Sequence, residues 1–354
     1  MRRSIIVDFA WHGRRGARAR LCLLAWLLVL VAGCLQPLPT SDVMVKRAQM
    51  HMGTLVTITA VARTEAAARA AIAAGFGEIH RLEELLSTWI AESELSRVNA
   101  KAGHEPVRVS AETLFLLQRS LEIAGMTDGA FNIAIGPATE AWGFVKEERI
   151  PSDTELAALK PLTDLSKLTL DAGTRSVSLG RPGMRVDVGG IGKGFAADRA
   201  VAVMQRAGAT GGVVALSGDI KTFGRMPDGK PFLIGIQHPR QEGALLARVE
   251  LRDEAISTAG DYERFFDRDG VRYHHILDPR TLKPARDCQS VTVIAKEGLV
   301  ADGLDTGIFV MGPTRGMELV ERLPEVEAIV VDRDGQIWVS SGLKGRIEML
   351  EAPR

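Results

Sequence analysis

The chain has 354 residues, with 44 basic and 44 acidic side chains and 46% apolar residues. That length suits one large domain or two ordinary ones, and the apolar share supplies a substantial core. Balanced charge gives no broad basic field, so nucleic acid is set aside as a partner.

In chain order, a basic stretch (Arg2, Arg3, then Arg14 to Arg20) precedes the apolar run Leu21–Gly33. The run is too short to span a bilayer comfortably and fits the apolar core of an export signal. It closes on Val31-Ala32-Gly33-Cys34, which resembles the bacterial lipobox, where the cysteine becomes the lipidated first residue. Residues 1–33 then read as a lipoprotein signal peptide, 34–49 as a lipidated tether and 50–350 as the folded domain. The bland alternative is a signal peptide with a chance cysteine at its end. Lipidation at Cys34 anchors the protein to a membrane in the bacterial cell envelope, facing the periplasm. It also leaves Cys288 without a disulfide partner, as an inert thiol.

Thr54–Ala62 is rich in β-branched residues and reads as a strand. Thr64 caps a long helix whose Ile72, Phe76, Ile79, Leu82 and Leu86 share one face. Ser110 caps a second helix, with Leu114, Leu117 and Leu121 on one side, and Ser152 to Glu155 form a capping box. A hairpin is expected around Asp171–Thr174, then a helix over Phe195–Ala207. Strand-like runs follow at 211–217, 231–236, 246–251 and 290–295, then a helix from about Leu299 to Val310 and a hairpin turning at Asp334-Gly335. Strands and helices mix without strict alternation, so the fold class is α+β with one catalytic domain.

Four stretches could carry chemistry. In "RVDVGGIGKGFAAD" (185–198), Gly189, Gly190, Gly192 and Gly194 let a backbone approach a ligand closely, and Lys193 adds charge at a helix start. The spacing is neither a Walker A loop nor G-x-G-x-x-G, so a phosphate site competes with plain close packing. Asp187 sits at the strand end, as a ligand contact or a turn cap. In "VADGLDTG" (300–307), Asp302 and Thr306 stand four apart on one helix face and offer hard oxygens suited to Mg²⁺ or Ca²⁺. Their bland reading is a cap and an ordinary helical threonine. In "RYHHILDP" (272–279), two adjacent histidines on a strand point to opposite faces, one toward core and one toward a cleft. His275, ahead of a rigid turn, is the candidate general base. Met52 and Trp89, at element ends, could flank an aromatic ring or simply pack in the core.

Together these stretches resemble the ApbE family of bacterial FAD:protein FMN transferases. The pieces "MGT", "STW…SELSRVN", "GAFNIAIGP", "DVGGIGKGFAAD", "LSGDI", "STAGDYERFF", "HHILDPRT" and "ADGLDTGIFVMG" occur in the family's order, from about His51 to Gly312. The resemblance implies a T-fold-like α+β domain with bound FAD and Mg²⁺. It implies transfer of FMN from FAD to a Thr hydroxyl of an acceptor protein, with release of AMP. Acceptors would be flavin-carrying subunits of the Na⁺-translocating NADH:quinone reductase or of Rnf-type complexes. By position, Met52, Trp89, Ala130, Phe131, Asn132, Asp187, Lys193 and Ile276 would contact the nucleotide. Asp302 and Thr306 would bind Mg²⁺, helped by backbone carbonyls at Gly190 and Asp305, with His275 as base and the metal-bound carboxylate as the alternative. A homodimer is compatible with the sequence.

The chain departs from the family pattern at Asn132 (usually Asp), Ala259 (usually Ser) and Leu282 (usually Gly), and the last departure predicts a differently shaped turn. Two other functions stay open: a Mg²⁺-dependent FAD pyrophosphatase and a non-catalytic FAD-binding lipoprotein.

Overall fold

A computed structural model of the chain describes residues 42–144 and 148–350. The expected signal peptide, Cys34 and the tether up to residue 41 lie outside the described residues. The folded chain begins ahead of residue 50, which corrects the expected tether boundary. Strand β1 (Val43–His51) pairs antiparallel with β2 (Thr54–Ala62) along its whole length, from Val43 opposite Ala62 to His51 opposite Thr54. As an edge strand it buries only Val45, so its sequence carries almost no apolar alternation. Met52 and Gly53 turn the hairpin with φ of 49° and 70°, the left-handed pair that a two-residue type I′ turn needs.

Six further strands complete an eight-stranded sheet: β3 (Gly211–Leu216), β4 (Asp219–Phe223), β5 (Ala255–Gly260), β6 (Cys288–Ala295), β7 (Val326–Asp332) and β8 (Ile337–Val339). Every strand lies beside its predecessor and antiparallel to it. Helices α1 (Glu65–Leu86), α3 (Gly192–Arg206) and α4 (Gly298–Met311) pack side by side on one face, and α2 (Ala111–Met126) packs on α4. The expected caps are in place: Thr64 Oγ1 accepts from Ala67 N at 3.2 Å and Ser110 Oγ from Thr113 N at 3.1 Å.

On the other face a small sheet (Phe232–Gln237, Leu245–Leu251, Ile347–Met349) packs Ile236, Val249 and Leu251 toward Ile256, Ile294 and Ile329. Covered on both sides, β6 is buried at every position, including its polar Gln289, Ser290 and Thr292. Cys288 opens that strand, and burial pushes its thiol up to about 12, so it stays unreactive.

Helices α3 and α4 touch through glycine. A Cβ on Gly194 would lie 2.1 Å from the Gly298 carbonyl oxygen and 2.8 Å from Asp302 Cβ. Asp198 of α3 caps α4, accepting from the backbone N–H groups of Gly298 at 2.8 Å and Leu299 at 3.0 Å. Gly194→Ala should therefore force the helices apart and destabilise the protein by about 3 kcal/mol or more, the upper range for overpacking. Urea unfolding checks this; an unchanged midpoint would contradict it.

Leu282 corrects another expectation. Its φ is 59°, so the turn keeps the left-handed shape a glycine would give. The leucine side chain is fully buried, and Trp142 Nε1 donates to its carbonyl at 2.8 Å. Packing offsets a backbone cost of about 1–2 kcal/mol.

Candidate active site

Helix α4 is buried on nearly all sides, yet it carries two acids. Asp302 is 3% exposed and Asp305 is 3% exposed. A helix of this kind normally holds only apolar residues, so two buried carboxylates need partners that justify them. The α3–α4 crossing supplies the first: Asp302 Oδ2 accepts from Gly194 N at 2.8 Å. The sheet supplies the rest. Asp219, at the start of β4, is buried and ion-paired with Lys193. Ser257 on β5 lies with its hydroxyl 2.5 Å from Asp219 Oδ1 and 2.6 Å from Asp305 Oδ2. Thr306 Oγ1 donates to Asp305 Oδ1 at 3.1 Å. Carboxylate oxygens of Asp219, Asp302 and Asp305 lie within 4.8 Å of one another.

This cluster is short of positive charge. The Ser257 hydroxyl has one proton and two carboxylate neighbours, so it can donate to only one of them. Burial, and then the Asp219 charge, push the Asp302 carboxyl up to about 7. Burial, followed by the Asp302 and Asp219 charges, holds Asp305 well above the usual carboxylate range. Burial alone would pull the Lys193 ammonium down, but Asp219 and Asp302 outweigh it and keep Lys193 charged. One ammonium thus faces three carboxylates, and protons fill the deficit when no cation does.

The donor set fits a hard divalent cation. All the groups offer oxygen, with no imidazole or thiolate that would favour zinc. A Cβ on Gly190 would sit 3.2 Å from Thr306 Oγ1, so the Gly190 backbone lies against the threonine hydroxyl. The four predicted metal residues, Gly190, Asp302, Asp305 and Thr306, are therefore brought together. At Asp305 it is the side chain that joins the cluster, as its bonds to Ser257 and Thr306 show. Because the cation displaces protons, its binding should release protons and tighten as pH rises through about 7, the value for Asp302. Mg²⁺ titrations at pH 6 and pH 8 test this; equal affinity at both would contradict it.

The strand ends at His274 and His275 lies just beyond it, so the expected alternation across one strand does not apply to the pair. His274 is buried, with Nε2 2.7 Å from the Ala285 carbonyl oxygen and Nδ1 accepting from Ile276 N at 3.3 Å. Its ring meets Phe309 edge-on. His275 is different: its Nδ1 is buried with no hydrogen-bond partner among the described residues. Burial, with His274, Arg264 and Lys193 as lesser contributors, pushes its pKa down to about 3. The ring is therefore neutral at ordinary pH.

The expected nucleotide contacts take several positions. A cleft of about 550 Å³ is lined by Trp89, Gly136, Arg185 and Asp187, among others. Trp89 is 68% exposed there. Asp187 Oδ1 accepts from Gly189 N at 2.8 Å, so the residue caps its turn while lining the cleft. Phe131 is buried, with its ring 3.5 Å from where a Gly190 Cβ would stand, and Ala130 is half-buried beside it. Asn132 engages both ends of its amide with backbone, accepting from Ala134 N at 2.8 Å and donating to the Thr163 carbonyl at 2.9 Å. Met52 is half-buried against the core and donates its N–H to Glu83 Oε1 at 2.7 Å. Ile276 is buried. A larger cleft of about 940 Å³, lined by Arg248, Glu250, Arg252 and Arg346 among others, contains none of the predicted residues.

Comparison with known proteins identifies the family. The model of the ApbE family matches residues 52–330. The chain belongs to the ApbE family. A FAD:protein FMN transferase of Vibrio cholerae is 36% identical, over 75% of this chain and 81% of that protein. One from Klebsiella pneumoniae is 33% identical, over 88% of this chain and 93% of its own. Among solved structures, the ApbE protein of Thermotoga maritima superposes with a TM-score of 0.80 at 32% identity, covering 86% of this chain and 99% of that one. The flavin transferase ApbE of Vibrio cholerae gives 0.77 at 31% identity, with coverage of 86% and 99%. The α+β single-domain architecture is thus that of ApbE proteins.

Within this ApbE-family chain, sequence reasoning missed Asp219. "LSGDI" is legible as a family stretch, but nothing in its spacing ties Asp219 to Asp302, which lies far along the chain beyond several strands. The one local signal is an acid directly after the Ser217-Gly218 turn, at the start of a strand.

Proposed function

We propose that this flavin transferase uses Mg²⁺ to move FMN from FAD onto a threonine hydroxyl of an acceptor protein, releasing AMP. The observation that carries the reading is the cluster of three buried carboxylates, two on helix α4 and one on β4, beside a glycine-cradled helix crossing. A binding protein has no need of that costly arrangement, whereas a pyrophosphate displacement uses it directly.

In this reading the threonine oxygen bonds to the FMN phosphorus, the bridging bond of the pyrophosphate breaks, and AMP leaves. Asp302, Asp305, Thr306 and the Gly190 carbonyl would hold the cation, and Asp219 balances Lys193 beside them. Bound Mg²⁺ supplies charge neutralisation at the pyrophosphate and the departing AMP. His275 would take the threonine proton. Lys193 keeps a positive charge at the start of α3, where backbone N–H groups already favour anions. Met52, Trp89, Ala130, Phe131, Asp187 and Ile276 frame the nucleotide, and Asn132 braces the segment that carries Phe131. The acceptors are flavin subunits of a Na⁺-translocating NADH:quinone reductase or an Rnf-type complex, reached from a lipid anchor at Cys34 on the periplasmic side of the envelope.

The test is AMP release from FAD and Mg²⁺, with and without such a subunit. Release that depends on the acceptor supports the proposal. Release at the same rate without it would mean that water is the nucleophile.

A further inference from the structure

A second group of metal-competent side chains lies well apart in sequence from the carboxylate cluster. Ligand atoms of His51, His80 and Glu83 lie within 4.8 Å of one another. His51 ends β1, and the turn at Met52-Gly53 fixes its direction. Residues Phe76, His80 and Glu83 stand four and three apart on α1, so they share one helix face. The His51 ring stacks on Phe76, with centroids 5.8 Å apart and planes at 28°, and the His80 ring lies 5.8 Å away.

The hydrogen bonding of His51 is that of a ligand imidazole. Its Nε2 lies 3.0 Å from Gln49 Oε1, to which it can only donate. Its Nδ1 faces Glu83 Oε2 at 3.5 Å. With the ring proton on Nε2, the Nδ1 lone pair faces a carboxylate oxygen, a geometry that a bound cation would satisfy. Two donors bound to one tetrahedral Zn²⁺ at about 2.0–2.1 Å lie about 3.4 Å apart, close to the separation present. Outer partners are also in place, as ligand histidines require: Gln49 for His51, and Glu84 Oε1 3.5 Å from His80 Nε2.

We propose that His51, His80 and Glu83 bind Zn²⁺ or a similar late first-row divalent cation. Two imidazoles and one carboxylate suit such an ion and disfavour Mg²⁺, so the site is chemically distinct from the all-oxygen cluster. His80 is exposed, which leaves a coordination position open to water. The other oxygen of Glu83 accepts from Met52 N, so the same carboxylate ties the cation to the β1–β2 turn.

The test uses the lipid-anchored protein in detergent, purified without a histidine tag and stripped with EDTA. Zn²⁺ is titrated calorimetrically in saturating Mg²⁺, which fills the carboxylate cluster. The expected result is one Zn²⁺ per chain, with affinity reduced at least about tenfold in His80→Ala and in His51→Gln. Asp302→Asn should leave Zn²⁺ binding intact. Co²⁺ in place of Zn²⁺ should give visible absorption that disappears in His80→Ala. Absence of stoichiometric Zn²⁺ binding overturns the proposal, and so does unchanged affinity in His80→Ala, whose exposed position makes loss of folding an unlikely confounder once a thermal melt matches the wild type.

Discussion

Asp302→Asn is expected to abolish flavin transfer while making the metal-free protein more stable. The carboxylate is buried beside Asp219 and Asp305 with one ammonium to balance three acids. Asparagine keeps an acceptor for the Gly194 N–H, so the α3–α4 crossing survives. It removes the charge that a hard cation requires. Transfer should fall at least about 10³-fold, the upper range for losing one preorganised charge-stabilising group. Stability should move the other way, and pH shows why. A carboxyl raised from 3.8 to about 7 keeps in the folded state a proton that the unfolded chain releases. Its contribution to stability is present at low pH and is lost as pH rises through about 7. The loss is at most about 4 kcal/mol, at about 1.4 kcal/mol per tenfold change in acidity. Urea unfolding in EDTA should therefore show the wild type weakening between pH 5 and pH 8 and the variant weakening much less. A variant that keeps full transfer, or that follows the wild-type pH slope, would contradict the assignment.

The second large effect is at His275. Its pKa near 3 leaves the ring neutral at working pH, and Nδ1 has no partner among the described residues to compete for an incoming hydroxyl. Removing a positioned base costs about 10²–10⁴-fold in rate, roughly 3–5 kcal/mol of barrier. His275→Ala should lose that factor in kcat with FAD affinity changed only a few-fold, because the ring acts on the acceptor proton. Single-turnover kinetics with pre-bound FAD separate the two quantities. His274→Ala should behave in the opposite sense. It removes a ring that bonds Ala285 and Ile276 and packs on Phe309, so the damage appears as lost stability. If the two variants had the same kinetic profile, His275 would be a structural residue too.

Where function depends on local sequence, it is legible. Thr64, Ser110 and Ser152 cap helices through bonds that reach only three residues, so spacing alone finds them. Asp302 and Thr306 stand out because acids and hydroxyls are rare in a stretch as apolar as 298–311. The alternation of a strand predicts that His274 and His275 part to opposite faces, but the strand ends at His274 and the His275 Nδ1 is buried as well. Alternation also cannot say which nitrogen lacks a partner. Asp219 and Ser257 join the site because β4 and β5 are neighbours under α4, a fact of topology that no spacing encodes. Strand β1 is hidden for the reverse reason: its one partner, β2, leaves it too little buried surface to mark. Leu282 shows the limit of reasoning from residue type. A left-handed φ predicts glycine, but here a buried leucine holds the same turn because Trp142 packs and hydrogen-bonds around it.

The central claim is tested most directly by the mass of the acceptor. A flavin-carrying subunit is incubated with the chain, FAD and Mg²⁺, then analysed intact and as peptides, with AMP quantified in the same tube. The expected result is a mass gain of one FMN on one threonine, matched mole for mole by AMP and absent with EDTA or with Asp302→Asn. AMP and free FMN with an unmodified acceptor would contradict the account and identify a pyrophosphatase, while FAD bound and unchanged would identify a carrier.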